Sequence, residues 1–305
     1  MTPLTAIDLF AGCGGSTTGA QAAGVRVLWA ANHWQAAVDI HRANHPGVEH
    51  SCQDLHQADW SAVPGMDVVL ASPACQGHSK ARGQDRPHHD RDRATAWAVV
   101  SCAEFHRPKF IVVENVPEFR RWRLYPAWRC SLEMLGYALS EEILNASACG
   151  VPQDRRRLFI IGARGRVPFT VVAPNHPPAP ASSFINFSVG RWSKVFRPGR
   201  ADSTVARWRD GHARFGDRFV MSFYGNTLTA RSIDRPIGTM TTRDRWAVVN
   251  GDRMRMLTVD ECRAGMGFPA DYILPANHRL AVHLLGNAVC PAVEEHVLAQ
   301  LRRAA

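Results

Sequence analysis

The sequence predicts an α/β protein: a mostly parallel sheet with helices on both faces, joined to a small, mainly β or irregular domain. Three observations predict it. Short apolar runs of four to six residues alternate with helix-like stretches through the first half of the chain, as expected for strands covered by crossover helices. A proline-rich connector at 173–183, APNHPPAPASS, then breaks the pattern, being unfit for a helix interior or a central strand. Beyond it lies an Arg/Trp-rich stretch, 184–250, with short β-like pieces and no clear helical period, after which helical patterning returns.

The elements follow in order. TAIDLF (5–10) is a strand running into a glycine loop, and STTGAQAAG (16–24) starts a helix. VRVLWAAN (25–32) is a second strand, followed by the helix WQAAVDIHRAN (34–44). MDVVLAS (66–72), KFIVVENV (109–116) and RLFIIGAR (157–164) are three more buried strands, and WRCSLEMLGY (128–137) is an amphipathic helix between the last two. In the basic stretch only RFVMSFYG (218–225) and WAVVN (246–250) look like strands. RMLTVDECRAGMGFP (255–269) is helical in pattern, and HLLGNAVCPAVEEHVLAQLRR (283–303) reads as a single closing helix. The expected domains are 1–165 completed by 284–305, a basic domain at 166–250, and a connecting hinge at 251–283.

A chain of 305 residues can bury one large core plus a small appended domain. Hydrophobic residues make up 46% and charged residues 21%, and no apolar run approaches the ~18 residues of a membrane span. MTPLTAIDLF carries no basic segment ahead of a long apolar one, so a secretory leader is not expected and a cytosolic, soluble protein is. The eight cysteines lie scattered, without a CxxC pair or a Cys/His cluster at zinc spacing; free thiols and no structural metal are expected. The net charge is +9. Residues 166–250 hold thirteen basic against five acidic side chains, and such segregation marks a surface for a polyanion. Codon bias explains the use of arginine over lysine but not the segregation.

Three constellations carry chemistry. DLFAGCGG (8–15) lies between a strand and a helix, where small residues let backbone approach a ligand and the helix N-terminus offers unpaired amides. No Lys-Ser or Lys-Thr follows it, so it is not a phosphate-cradling loop, and it does not complete a dinucleotide GxGxxG. In ASPACQGHS (71–79), Cys75 follows a buried strand at the sheet edge where parallel sheets bind ligands; a cysteine there is a nucleophile or an inert buried thiol, according to what lowers its pKa. In ENV (114–116), Glu114 ends an apolar strand and needs a partner if buried. Arg155 and Arg157 in QDRRR (153–157) are candidates, sharing one face if extended.

In this order, DLFAGCGG, PACQ, ENV, QDRRR, RPIGTMTT and GNAVCPA, spanning residues 7–296, resemble the DNA (cytosine-5)-methyltransferases. The resemblance implies a Rossmann-like fold of the class I methyltransferase type and methyl transfer from S-adenosylmethionine to carbon 5 of cytosine, on a base flipped out of double-stranded DNA. It implies that Cys75 adds to ring carbon 6, that Glu114 and Arg157 stabilise charge on the ring, and that Arg155 fixes Glu114. For the donor it implies Phe10, Gly12, Gly14 and Gly15, with Trp34 against the adenine, Asp54 and Leu55 at its edge, and Asn287 closing the pocket. Gln76, Ser79, Lys80 and Arg82 resemble part of a loop that closes behind the target and touches phosphate. Trp192, Trp208 and Phe223 in the basic segment are core candidates first and stacking candidates second. The resemblance further implies a bacterial or phage protein, a monomer at the nucleoid, acting without metal.

The sequence departs from the family pattern at three places. His33 stands where such folds carry an acidic residue for the donor's ribose; it is expected to make one hydrogen bond there, without a carboxylate's charge or two-pronged reach. Ala74 replaces the proline before the nucleophile, and Cys290 interrupts GNAVCPA. Three alternatives stay open at this point: the same chemistry on RNA, a modified sulfonium donor, and a catalytically silent DNA-binding relative.

Overall fold

A computed structural model describes residues 3–73, 95–165, 167–223 and 230–305. The chain folds as two compact units: residues 1–145, 156–174 and 288–305 form the first, and 146–155 with 175–287 the second.

The first unit is built on a seven-stranded sheet in the order β3-β2-β1-β4-β5-β8-β6. Its strands are β1 (Thr5–Leu9), β2 (Arg26–Asn32), β3 (Glu49–Cys52), β4 (Val68–Ala71), β5 (Phe110–Asn115), β6 (Tyr137–Asn145) and β8 (Arg156–Arg164). The first five pair parallel, whereas β8 runs antiparallel to both β5 and β6. The helices are α1 (Gly15–Ala22), α2 (Gln35–Asn44), α3 (Trp97–His106), α4 (Tyr125–Met134) and, from the chain's end, α8 (Pro291–Ala304). Side chains alternate across a strand, so Ile7 and Leu9 of β1 enter a core cluster with Val99 and Cys102 of α3 and Trp128 and Leu132 of α4. Asp8, between them, reaches Thr17 of α1. On that side α1 and α8 pack backbone to backbone: a Cβ on Gly15 would come within 2.1 Å of the Val289 carbonyl, and one on Gly19 within 2.4 Å of the Pro291 carbonyl. Only glycine permits so close an approach.

The second unit has a five-stranded antiparallel sheet, order β11-β10-β13-β14-β9, and a two-stranded parallel pair of β12 with β7. These strands are β7 (Gln153–Asp154), β9 (Ser193–Lys194), β10 (Arg218–Ser222), β11 (Ala230–Ser232), β12 (Ile237–Gly238), β13 (Trp246–Asn250) and β14 (Arg253–Met256). Three helices accompany them: α5 (Asp202–Phe215), α6 (Val259–Gly265) and α7 (His278–Asn287). Phe219, Met221, Ala247 and Val249 form its core, with Trp208 and Phe223 packed at the edge. Thr258 starts α6 with a reciprocal capping box to Glu261.

The α/β reading holds, and several details differ from the sequence reading. The closing helix is two helices, because Pro291 has no N–H to continue the first and instead begins the second. The amphipathic helix ends at Met134, and Gly136 at φ 89° turns the chain into β6, a strand that periodicity did not reveal. Helix α5 also went unseen. Residues 251–283 are no separate hinge: β14 pairs with β13 and α6 belongs to the same unit. Residues 146–155 join that unit as well, through the pairing of β7 with β12.

Candidate active site

The turn from β1 into α1 is held in a conformation few residues adopt: Phe10 at φ 60°, Gly12 at 56° and Gly14 at 97°. Phe10 is not a glycine, and strain of this kind persists only where the surroundings over-determine it. The Ala11 amide bonds the Ala31 carbonyl, and the Gly14 amide closes the turn on Ala11. Among the described residues, a Cβ on Gly12 would meet nothing nearer than the Phe10 carbonyl at 4.0 Å, so they leave that side of the loop open to a ligand. The Cα of Gly15 packs against the Val289 backbone.

The other donor candidates lie along the ends of the following strands. His33 and Trp34 follow the last residue of β2; His33 is exposed, Trp34 half-buried, and the Trp34 amide is held by the Asn32 side chain at 3.0 Å. Asp54 and Leu55 follow β3: Leu55 is buried, while the Asp54 carboxylate accepts from the His56 amide and caps a short 3-10 turn. Asn287 is exposed at the end of α7, in the second unit.

On the other side of β1, β4 delivers Ser72 and Pro73. Ser72 donates to the Phe10 carbonyl, and the Asn115 side chain donates to the Pro73 carbonyl at 3.1 Å. Asn115 also accepts from the Val116 amide, so one buried amide fixes both its own turn and the strand end before the nucleophile candidate. Cys75, Gln76, Ser79, Lys80 and Arg82, and Ala74 with them, lie outside the described residues. Glu114, next to Asn115 and 8% exposed, is paired with Arg157 at 3.1 Å.

Arg155 and Arg157 do not share one environment. Arg155 stands between β7 and β8, is buried, and donates to the carbonyls of Met240 and Gly286 within the second unit. Arg157, the family's candidate for the ring carbonyl, makes an ion pair with Glu114. Gln153, which the sequence reading passed over, joins Arg155 in a hub: its amide accepts from Met240 N–H and donates to the Gly265 carbonyl. The segments QDRRR, RPIGTMTT, MGFP and GNAV thus meet through two side chains. QDRRR, RPIGTMTT and GNAV belong to the ordered motif set, which was the available signal; MGFP does not.

Within the second unit, guanidinium groups lie on aromatic rings: Arg207 on Phe223, Arg231 on Trp246 and Arg255 on Trp192. Trp208 bonds the Gly251 carbonyl through its indole N–H and stacks on His212. Trp192, Trp208 and Phe223 therefore have structural partners. A cleft of about 770 Å³ is lined by Arg214, Arg231 and Arg235 together with Asp154 and Asp234. Among the described residues no helix is long and apolar enough to cross a membrane, and no group of three or more His, Cys, Asp or Glu side chains is placed to hold a metal ion.

Comparison with known proteins agrees with this arrangement. Residues 4–187 and 212–303 match the family model described as C-5 cytosine-specific DNA methylase. The chain is 27% identical over 289 residues to the type II methyltransferase M.HgiDI of Herpetosiphon aurantiacus, covering 93% of this chain and 89% of the relative. It is 26% identical to the type II methyltransferase M.NlaX of Neisseria lactamica, covering 98% and 96%. In fold it is similar to the Dnmt2 methyltransferase of S. pombe, with a TM-score of 0.72 at 16% identity over 99% of both chains. An α/β fold with a strained glycine loop and a strand-end carboxylate paired to arginine is the framework of a donor-dependent transferase. The chain belongs to the C-5 cytosine-specific DNA methylase family: it is a DNA (cytosine-5)-methyltransferase that takes its methyl group from S-adenosylmethionine.

Proposed function

We propose that this enzyme modifies a cytosine extruded from double-stranded DNA through a covalent bond to Cys75. The observation that carries the reading is the anchor before that residue: Asn115 holds the Pro73 carbonyl two positions upstream, and Glu114 beside it is paired with Arg157. A base in a duplex is out of reach of any side chain at a sheet edge, so extrusion is a physical requirement.

The Cys75 thiolate adds to carbon 6, and the ring electrons move to carbon 5 and toward nitrogen 3. Glu114 meets the charge at ring nitrogen 3 and the exocyclic amine, and Arg157 that at the carbonyl oxygen. Carbon 5, now nucleophilic, takes the methyl group; loss of its proton and departure of the Cys75 thiolate restore the aromatic ring. Arg155 is a positioning residue that fixes Glu114.

The residues of the glycine loop fit a nucleoside sulfonium: an open backbone face at Gly12, an aromatic ring at Trp34 and the buried Leu55. Phe10, Gly12, Gly14, Gly15, His33, Trp34, Asp54, Leu55 and Asn287 would hold S-adenosylmethionine, which supplies an electrophilic methyl group. Gln76, Ser79, Lys80 and Arg82 would close on the DNA. The arginines of the second unit's cleft would read base edges and phosphates. The enzyme would work as a metal-independent monomer in the cytoplasm, at the nucleoid of a bacterium or on behalf of a phage, as the modification half of a restriction system.

Trapping tests the reading. A duplex carrying 5-fluorocytosine at the target blocks loss of the carbon 5 substituent, so the wild type with donor should give a complex that survives denaturing electrophoresis, and Cys75→Ser should give none. No trapped complex with the wild type, or equal amounts with both, overturns it.

A further inference from the structure

The loop that holds the donor is closed by a carboxylate wired to the surface. Asp8 is fully buried, yet its carboxyl group shares a hydrogen bond of 2.8 Å with the Thr17 hydroxyl and accepts the Thr17 backbone amide. Thr17 lies in the first turn of α1, so Asp8 reaches across the loop from the end of β1 and satisfies an amide that the helix leaves open. A carboxylate at this position gains from the helix dipole as well. Behind Thr17 the chain of hydrogen bonds continues: its hydroxyl meets His41 Nε2 at 3.0 Å, and His41 Nδ1 meets His50 Nε2 at 2.8 Å. His41 is buried, while His50, on β3, is partly exposed. Four elements, β1, α1, α2 and β3, each contribute one link.

A second acid opposes the first. Glu294 of α8 is 1% exposed, lies against Gly19, and repels Asp8 electrostatically. Asp8 Oδ1 and Glu294 Oε1 have no hydrogen-bond partner among the described residues. The remaining charged or titratable groups that bear on the cluster are Glu114, which acts on Glu294, His45, which acts on His41, and Arg42, which acts on His50. Burial, with only the Thr17 bonds against it, pushes Asp8 up to about 7, and burial drives His41 well below its usual range. His41 therefore passes protons as a neutral ring.

We propose that Asp8 is a positioning acid that gives up one proton to solvent, through Thr17, His41 and His50, when the cationic donor enters the glycine loop. The idea rests on the donor assignment above. In the empty loop Asp8 donates to Thr17 Oγ1, Thr17 to His41 Nε2, and His41 Nδ1 to His50 Nε2. When the donor's net positive charge favours the carboxylate, each link hands its proton on one step and His50 releases one from Nδ1. Every atom along the chain ends with its valence filled, and every hydrogen bond reverses direction. The ionised Asp8 then accepts both Thr17 donors and locks the loop.

Calorimetry of S-adenosylmethionine binding in phosphate and in Tris, buffers with very different ionisation heats, counts the protons released. Near pH 6 the wild type should release close to one proton per donor, and near pH 8.5 almost none, with affinity rising about tenfold per pH unit below the midpoint. Thr17→Val, of the same shape, should move that midpoint higher by removing the hydroxyl bond. If Thr17→Val fails to fold, the wild-type proton count at the two pH values decides the matter. Donor binding at pH 6 with heat independent of buffer, or a midpoint unmoved in folded Thr17→Val, overturns the inference and leaves the donor site standing. No binding at any pH overturns both.

Discussion

Two arginines separated by a single residue show how differently the two units use the same chemistry. Arg157, in the first unit, offers its guanidinium to the carboxylate of Glu114 at the end of a parallel strand. Arg155, in the second, spends its donors on the Met240 and Gly286 carbonyls. The strand is interrupted at Arg155, with exposed Arg156 after it. One arginine pairs with a strand-end carboxylate; its neighbour ties three segments of chain together. A guanidinium makes five directed hydrogen bonds and stays charged when buried, which suits it to both tasks.

Glu114→Gln should break the comparison most severely. It keeps the shape of the side chain but removes the charge facing Arg157, and loss of one such electrostatic stabiliser costs about 10²–10³ in kcat. Single-turnover methylation should fall by that factor while donor affinity by calorimetry holds. If donor affinity falls as much as turnover does, Glu114 belongs to the structural side of the comparison. Arg155→Ala should do the converse. Charged hydrogen bonds to two buried carbonyls are each worth about 1.5–3 kcal/mol, so unfolding in urea should show a loss of about 3 kcal/mol. Undiminished stability would sink the anchoring role.

The packing of α1 on α8 permits a test of the first unit alone. At Gly19 a methyl group would lie 2.4 Å from the Pro291 carbonyl and 2.7 Å from Cβ of Glu294. Backbone on one side cannot retreat as a flexible side chain can, and overpacking of this kind costs about 1–3 kcal/mol. Gly19→Ala should lower the thermal midpoint accordingly, whereas Gly47→Ala, which meets nothing within 4 Å, should not.

Much of the first unit was legible because its strands are buried on both faces and read as continuous apolar runs. FIVVEN and RRLFIIGAR announce themselves; YALSEEILN does not, since its half-buried polar residues mask the strand. In the second unit α5 was hidden for a related reason. Its inward face includes Arg207 and Gly211, the latter pressed so close to the Phe219 ring that a Cβ would come within 2.2 Å, and neither counts as apolar in a periodicity search. The site followed the same division. The glycine loop, ENV and QDRRR are local motifs and were found. The partnership of Asp8 with Glu294, at opposite ends of the chain, and the hub at Gln153 arise only when distant segments meet.

The buried acids also leave a mark on stability. Asp8 titrates at about 7 when folded instead of in the usual carboxylate range, so between those limits the unfolded chain has lost a proton that the folded chain keeps. Stability from this group is therefore complete below the unfolded value and is lost as pH rises toward 7. Glu294, raised well above its ordinary value by burial and by Asp8, extends the loss to higher pH. Relative to wild type, Glu294→Gln should become progressively more stable as pH rises from about 5 to 8, since the amide never ionises. Parallel melting curves across that range would show instead that both carboxylates are ionised at little cost.

The smallest effect concerns His33. Exposed and beyond the end of β2, it is proposed to stand in for a carboxylate that would bind two ribose hydroxyls, and one solvent-competed hydrogen bond is worth about 0.5–1.5 kcal/mol. His33→Ala should weaken donor binding by about threefold to tenfold with kcat unchanged, and His33→Asp should tighten it beyond wild type by restoring the second bond. The pair separates two causes that a single variant confuses. If alanine has no effect and aspartate still tightens binding, the position faces the donor but imidazole does not touch it. If neither changes affinity, the ribose is held elsewhere along the strand ends, and the assignment of His33 falls.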